Sequence, residues 1–292
     1  MVGPRSGIGS LDGFKNTIKK LPEKSKPPQK FRGNMLSESS GIAGSSLVQP
    51  SYTASAVHFD GLTSLRTDSL VSTDNGYFSF SFWAKADWPA GFAVVFITDP
   101  NVYNGPLFIG RQQYFEITLA NGADFLLTYQ SIDEVSGTTP TNWSHFLGAG
   151  QTDLSAGNKI IRSYVSNINF PGSTPNGPVV DSGAAFNNGT NGLQFFVGDD
   201  GQGSPFTGDL ADFRIFPGVN FLTDGDISQS TRRLFIDANG KPVNPAIATA
   251  ALGTPGAVLF SGDSSTFGNN QGTGGAFTLT GTLTDATTSP SD

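Results

Sequence analysis

Phe78-Ser79-Phe80-Ser81-Phe82-Trp83-Ala84-Lys85 is the stretch on which the fold turns. Three phenylalanines alternate with two serines, so every second side chain is apolar, the period of a half-buried strand rather than of a helix. Short runs of the same kind lie on either side: Phe92–Thr98, Pro106–Ile109, Tyr114–Leu119, Phe125–Tyr129, Trp143–Leu147, Ile160–Val165, Leu193–Val197 and Leu210–Phe216. Gly, Pro, Asn and Asp separate them. Asn75-Gly76, Asn104-Gly105 and Asn121-Gly122 tolerate the positive φ of tight turns, and alternating residues on both sides of Asn121-Gly122 predict a hairpin. Many short strands at this spacing predict an all-β, antiparallel β-sandwich or jelly roll. One helix is expected after the sheet, Asp226–Leu234, capped by Asp226.

Composition agrees and removes several chemistries. The 292 residues include 24 Phe, 37 Gly and 18 Pro, with 37% apolar residues, enough for a packed core. There is no cysteine, which excludes disulfides, thiolate metal sites and thiol nucleophiles. Two histidines, His58 and His145, leave little for a multi-histidine zinc site. No apolar run is long enough to span a membrane, and the N-terminus lacks the pattern of a secretory signal.

Charge divides the chain. Residues 1–35 carry eight basic side chains against Asp12 and Glu23, a net of +6, whereas the other 257 carry nine basic and 22 acidic groups, a net of −13. Such asymmetry marks an arm whose work differs from that of the body. Leu11, Phe14, Ile18 and Leu21 share one helical face, with Lys15, Lys19 and Lys20 beside them and Pro22 as a stop. So short a helix needs a surface to dock on. Lys24, Lys26, Lys30 and Arg32 then accompany Pro27 and Pro28 in an extended, polyproline-like strap. The sharper reading is a docking arm for an acidic neighbour; a solvated basic tail is the bland one. Specific nucleic-acid binding is not expected, since only Phe14 and Phe31 interleave the charges. The organisation is thus an arm at 1–35, a Ser/Gly linker at 36–54, a sandwich at 55–236, and an extension at 237–292. That extension is expected to hold one or two strands, one of them within Ala276–Thr284, and a polar tail. Ala56-Val57-His58-Phe59-Asp60-Gly61 and Ala257-Val258-Leu259-Phe260-Ser261-Gly262 share four of six residues, as any strand running into a glycine turn would.

The order of segments resembles the concanavalin A-like jelly rolls, in particular laminin-G-like domains. Val57-His58-Phe59-Asp60-Gly61 with Ser64-Leu65-Arg66 looks like the opening pair of strands. Phe78–Lys85 is similar to the family's "F-T-φ-x-φ-W-φ-K" strand and Asn142-Trp143-Ser144-His145-Phe146 to its "x-W-x-H-φ" strand. Ile161–Val165 fits the strand that follows. Gly208-Asp209-Leu210-Ala211-Asp212-Phe213-Arg214-Ile215-Phe216 resembles the closing "G-x-φ-D-D-φ-R-φ-Y" strand. The resemblance covers about residues 55–236 and implies that Trp143 and His145 pack between the sheets. The chain departs from it at Ser166-Asn167, where a "D-G" turn is usual, and in the long insertion Pro171–Asn191. The fold hosts binding modules, structural domains and glycanases, so function must come from sites.

Catalytic equipment is sparse. Glutamate occurs only at Glu23, Glu38, Glu116 and Glu134, with no E-x-D-x-x-E run for glycoside hydrolysis, and there is no G-x-S-x-G elbow. His58 and His145 both read as structural strand histidines. Gly198–Gly203 has the wrong spacing for a nucleotide loop. No cofactor is required. Calcium (Ca2+) is a candidate, with Asp199, Asp200, Asp209 and Asp212 close in sequence as hard-oxygen ligands. Trp88, Tyr103, Phe170 and Phe186, set among polar turn residues, are candidates for glycan or partner contacts, and Trp83 and Trp143 are expected in the core.

A cysteine-free sandwich with a basic arm and a Gly/Thr-rich end reads as a non-enzymatic bacteriophage virion structural protein, a capsid decoration or tail-appendage subunit. Its expected partners are other virion proteins, bound through the arm, in a homo-oligomer or multi-copy assembly on the phage particle. The alternative is a carbohydrate-binding or host-receptor-binding adhesin module.

Overall fold

The computed structural model describes residues 52–292, apart from 74–75, 87–92, 99–104, 111–113, 122–123, 132–141, 152–159, 167–191, 200 and 202. Gln49–Asp292 forms one compact unit. Nine strands precede the long insertion: β1 (Val57–Asp60), β2 (Ser64–Thr67), β3 (Tyr77–Lys85), β4 (Ala93–Thr98), β5 (Gly105–Gly110), β6 (Tyr114–Asn121), β7 (Asp124–Ser131), β8 (Ser144–Gln151) and β9 (Ile160–Val165). After it come β10 (Phe195–Val197), β11 (Thr207–Pro217), β12 (Leu222–Thr223) and β13 (Asp226–Ile227). Two helices, α1 (Gln229–Arg232) and α2 (Pro245–Leu252), lead to β14 (Val258–Phe260), β15 (Thr278–Thr280) and β16 (Thr284–Asp285).

Two antiparallel sheets make the sandwich. The front sheet runs β16-β1-β11-β3-β8-β9, with β14 also on β11, and the back sheet runs β15-β2-β10-β4-β5-β6-β7. The expected strands are present, and the hairpin at Asn121-Gly122 is seen in β6 pairing with β7 out to Asn121 opposite Asp124. β11 is long enough, at 11 residues, to take β1 along its first half and β14 along its second. The two similar segments at Ala56 and Ala257 therefore occupy equivalent places on one strand.

The core between the sheets is phenylalanine. Phe59, Phe78, Phe80, Phe82, Phe96, Phe108, Phe146, Phe195, Phe213 and Phe260 are all essentially inaccessible to solvent. Phe82 sits among Phe108 (ring centroids 5.0 Å), Phe146 (5.1 Å) and Phe213 (5.6 Å). Offset and edge contacts of this kind add about 0.5–1.5 kcal/mol per pair beyond area burial. Gly148 faces Phe80 across the β3–β8 ladder, where a Cβ would lie 2.3 Å from two ring atoms, so only glycine lets the ring lie flat on the strand.

The opposite face of the front sheet is covered as well. Phe221, Phe235, Ile236 and Ala248, from the chain that follows β11, bury Phe216, Leu147, Ala149 and Trp83. Trp143 and His145 thus lie on this outer face and not between the sheets, correcting the expectation drawn from the resemblance, while Trp83 is buried on the same face. Phe80, Phe82 and Ala84 point inward, so period 2 obliges Ser79, Ser81 and Trp83 to point outward.

The end of the chain also differs from expectation. Asp226 caps no helix: it belongs to β13 and accepts a hydrogen bond from Tyr164 Oη at 2.6 Å. Ser228 caps the short α1 instead, its Oγ accepting from Thr231 N at 3.2 Å. α2 was not anticipated, although Asn244 as cap, Pro245 at its start and left-handed Gly253 at its end are the usual signals. Residues beyond 236 supply three strands, β14 and β16 to the front sheet and β15 to the back.

Candidate functional site

Alternation along β1 buries Val57 and Phe59 and leaves His58 on the outer face of the front sheet. The ladders then fix its neighbours. Lys85 stands opposite Asp209, Asp209 opposite His58, and His58 opposite Thr284, a polar row crossing β3, β11, β1 and β16. Thr207 and Asp285 join these four around an open groove of about 440 Å³.

His58 Nδ1 lies 2.7 Å from Asp209 Oδ1. An ionised carboxylate only accepts, so Nδ1 carries the proton and Nε2 is left for other work. The imidazole is 41% exposed and its partner carboxylate 12%. Among the described residues, neither His58 Nε2 nor Asp209 Oδ2 has a hydrogen-bond partner. At the end of the row Lys85 Nζ donates to Thr288 Oγ1 at 2.9 Å, and Trp143 Nε1 donates to the same oxygen at 3.2 Å. Asp285 Oδ1 accepts from Ser264 N at 2.7 Å, which ties β16 to the loop after β14.

A second polar group lies where the chain enters the body. Tyr52 Oη donates to Asp212 Oδ1 at 2.8 Å. Asp212 sits at the irregularity in the β11–β3 ladder with φ +45°, one of three positive-φ residues other than glycine among the described residues. Burial pushes its carboxyl up to about 6, against the opposing pull of the Tyr52 hydrogen bond and the Arg214 charge. The same burial lowers Arg214 and raises Tyr52 from their ordinary values. Asp212 Oδ2 and Arg214 Nη1 are buried without hydrogen-bond partners.

His145 has no access to solvent. Its Nε2 meets Ser81 Oγ at 2.9 Å, its ring lies 5.0 Å from Trp83 and 6.4 Å from Phe235, and burial pushes it down to about 3. It is a neutral packing residue, as expected. Trp143 is half-buried beside the groove's margin rather than in the core.

The described acidic residues offered for calcium each have a hydrogen-bond partner of their own. Asp199 Oδ1 accepts from Gly201 N at 3.0 Å within its own loop, Asp209 holds His58, and Asp212 holds Tyr52. No group of three or more His, Asp or Glu suited to a metal occurs among the described residues. Asp200, Trp88, Tyr103, Phe170, Phe186 and the arm residues Leu11 to Arg32 lie outside the described residues. Sequence reasoning missed the row itself. Strand alternation was a usable signal for the outward face of His58 and Lys85, but nothing local names their cross-strand neighbours.

No family model matches the chain, and no curated protein matches it. Among solved structures it is similar to a Bacteroides ovatus protein named for carbohydrate binding, with a TM-score of 0.50 and 12% identity over 82% of this chain and 62% of that one. It is also similar to a native heptameric SAP-like pentraxin from Limulus polyphemus, with a TM-score of 0.45 and 11% identity over 82% and 97% of the two chains. The LG1-3 region of the laminin α2 chain matches with a TM-score of 0.38 and 9% identity over 57% and 32%. At such identities the likeness concerns the fold alone, an antiparallel β-sandwich of the concanavalin A-like jelly-roll kind.

Proposed function

We propose that this chain is a non-enzymatic structural protein of a bacteriophage virion, a capsid decoration or tail-appendage subunit held by its N-terminal arm and displaying the jelly roll. The observation that carries the reading is the division of charge, +6 in residues 1–35 against −13 in the rest. The arm's chemistry suits an acidic protein surface, and its attraction would weaken with salt. The way the chain enters the body supports the same reading. Tyr52 is hydrogen-bonded to Asp212, Ala54 N donates to Ser291 Oγ at 2.9 Å, and Ala286 N donates to Ala56 O at 2.9 Å. A pull on the arm is thereby resisted by β11 and by the last residues of the chain, as a load-carrying anchor requires. The partners in this reading are neighbouring virion proteins in a multi-copy assembly.

The test is incorporation. A chain lacking residues 1–35 is expected to fold with an unchanged melting temperature and to be missing from purified particles; normal copy number on the particle would overturn the reading.

A second reading, a carbohydrate-binding or host-receptor-binding module, is favoured by one observation, the open polar groove over His58 and Asp209. Retention on host polysaccharide is its test, with Trp88→Ala and Tyr103→Ala reporting on the loops.

A further inference from the structure

We propose that the row Lys85, Asp209, His58 and Thr284 is the floor of a saccharide-binding groove, taking a neutral, polyhydroxylated ligand. The proposal rests on the reading of the chain as a carbohydrate-binding module and moves the site from the loop aromatics to the face of the front sheet.

Three features carry it. The first is placement. Over Leu147, Ala149, Phe216 and Trp83 the outer face of this sheet is covered by Phe221, Phe235 and Ile236, whereas over His58 it opens into a groove of about 440 Å³, within the size range of small-ligand sites. The second is the pattern of hydrogen-bonding groups. Lys85 offers ammonium protons, Asp209 Oδ2 offers lone pairs, His58 offers Nε2, and Thr207 and Thr284 offer hydroxyls that donate and accept. A sugar hydroxyl also does both, so adjacent hydroxyls on a ring find alternating partners along the row. Neighbouring strands are about 4.8 Å apart, and four in register present these groups over about 14 Å, room for more than one ring.

The third is selectivity by charge. Asp209 and Asp285 outnumber Lys85, so a phosphate or a polyanionic chain meets no net attraction. Among the described residues that line the groove, His58 is the one ring and there is no Leu, Ile, Val, Met or Phe, so the lining favours a polar ligand over a greasy one. The His58–Asp209 bond contributes by holding the imidazole with Nε2 free, a pre-organised contact that costs no rotamer freedom on binding.

The chain holds two histidines, one half-exposed in the groove and one sealed, which gives an internal reference. The full chain is screened on an array of bacterial capsular and O-antigen polysaccharides together with maltohexaose, cellohexaose and chitohexaose. The side-chain resonances of both histidines are then followed on titration with each retained glycan. The proposal expects saturable shifts of His58 with His145 unmoved, and at least a tenfold loss of affinity in Thr287→Arg, which crowds the groove from an exposed position on its lining. Asp209→Asn is expected to weaken binding to a similar degree. Glycan retention with His58 unmoved and Thr287→Arg at wild-type affinity would overturn the row as the site while leaving the carbohydrate-binding reading standing. No retention on any member of the array would overturn both.

Discussion

Asp209 Oδ1 holds His58 Nδ1 at 2.7 Å across the β1–β11 ladder, joining residues 151 positions apart in the chain. The pair stands on an uncovered part of a sheet face that is partly packed against later chain, so it serves the surface more than the core. Asp209→Asn is expected to lower stability by under about 1 kcal/mol, because a hydrogen bond so open to water contributes little net. Urea unfolding checks this: a loss of several kcal/mol would contradict a surface role.

Asp212 and His145 make opposite contributions to the pH dependence of stability. Asp212 rises from 3.8 to about 6 in the folded state, so its contribution is full below the unfolded value and is lost as pH climbs through 6. His145 falls from 6.5 to about 3, so its contribution is present above 6.5 and is lost as pH falls toward 3. Between pH 4 and 6 the two slopes oppose each other. Asp212→Asn should therefore leave a profile that rises more steeply with pH, and His145→Gln one that rises less or falls. Chemical denaturation at several pH values in that interval is the measurement, and parallel profiles for the two variants would contradict the assignment.

Tyr52→Phe removes the one side-chain hydrogen bond that Asp212 receives among the described residues. Leaving a buried carboxylate without a partner costs about 1–3 kcal/mol or more. Losing a bond that favours the charged form should also move the Asp212 titration further upward. The destabilisation should accordingly be larger at pH 7 than at pH 4, as read from melting temperatures at the two values.

Gly148→Ala sets a Cβ 2.3 Å from the Phe80 ring in the densest part of the core. Overpacking of this kind costs about 1–3 kcal/mol. At about 2–4 °C per kcal/mol for a body of this size, calorimetry should show a drop of several degrees. Phe80→Leu in the same chain should recover part of it, since the smaller side chain relieves the contact.

Much of the architecture was legible in short stretches of the chain. Phe78, Phe80 and Phe82 between serines announce a strand with one core face, and Asn121-Gly122 announces its hairpin, because alternation and turn chemistry are local properties. Trp143 and His145, on the same face as Trp83, lie elsewhere than the resemblance implies, for the converse reason. Their side of the sheet is covered by Phe235 and Ile236, from chain about 90 to 150 residues later, and a strand carries no record of what will pack on it. Asp226 reads as a cap until Tyr164 claims its carboxylate.

The groove shows the division most clearly. Period 2 already turned His58 away from Phe59 and Lys85 away from Ala84, and composition already withheld cysteine and most histidine, so strands, core and a scarcity of catalytic groups follow from the residues in order. Which polar residues would meet on the outer face was settled by strand register. Register is fixed by pairing among β3, β11, β1 and β16, whose members lie up to 199 positions apart, at Lys85 and Thr284. One residue of slip in any ladder would send His58 or Asp209 to the other face. Asp209 was therefore visible only as a calcium candidate and His58 only as a strand histidine, until the folded sheet set them side by side.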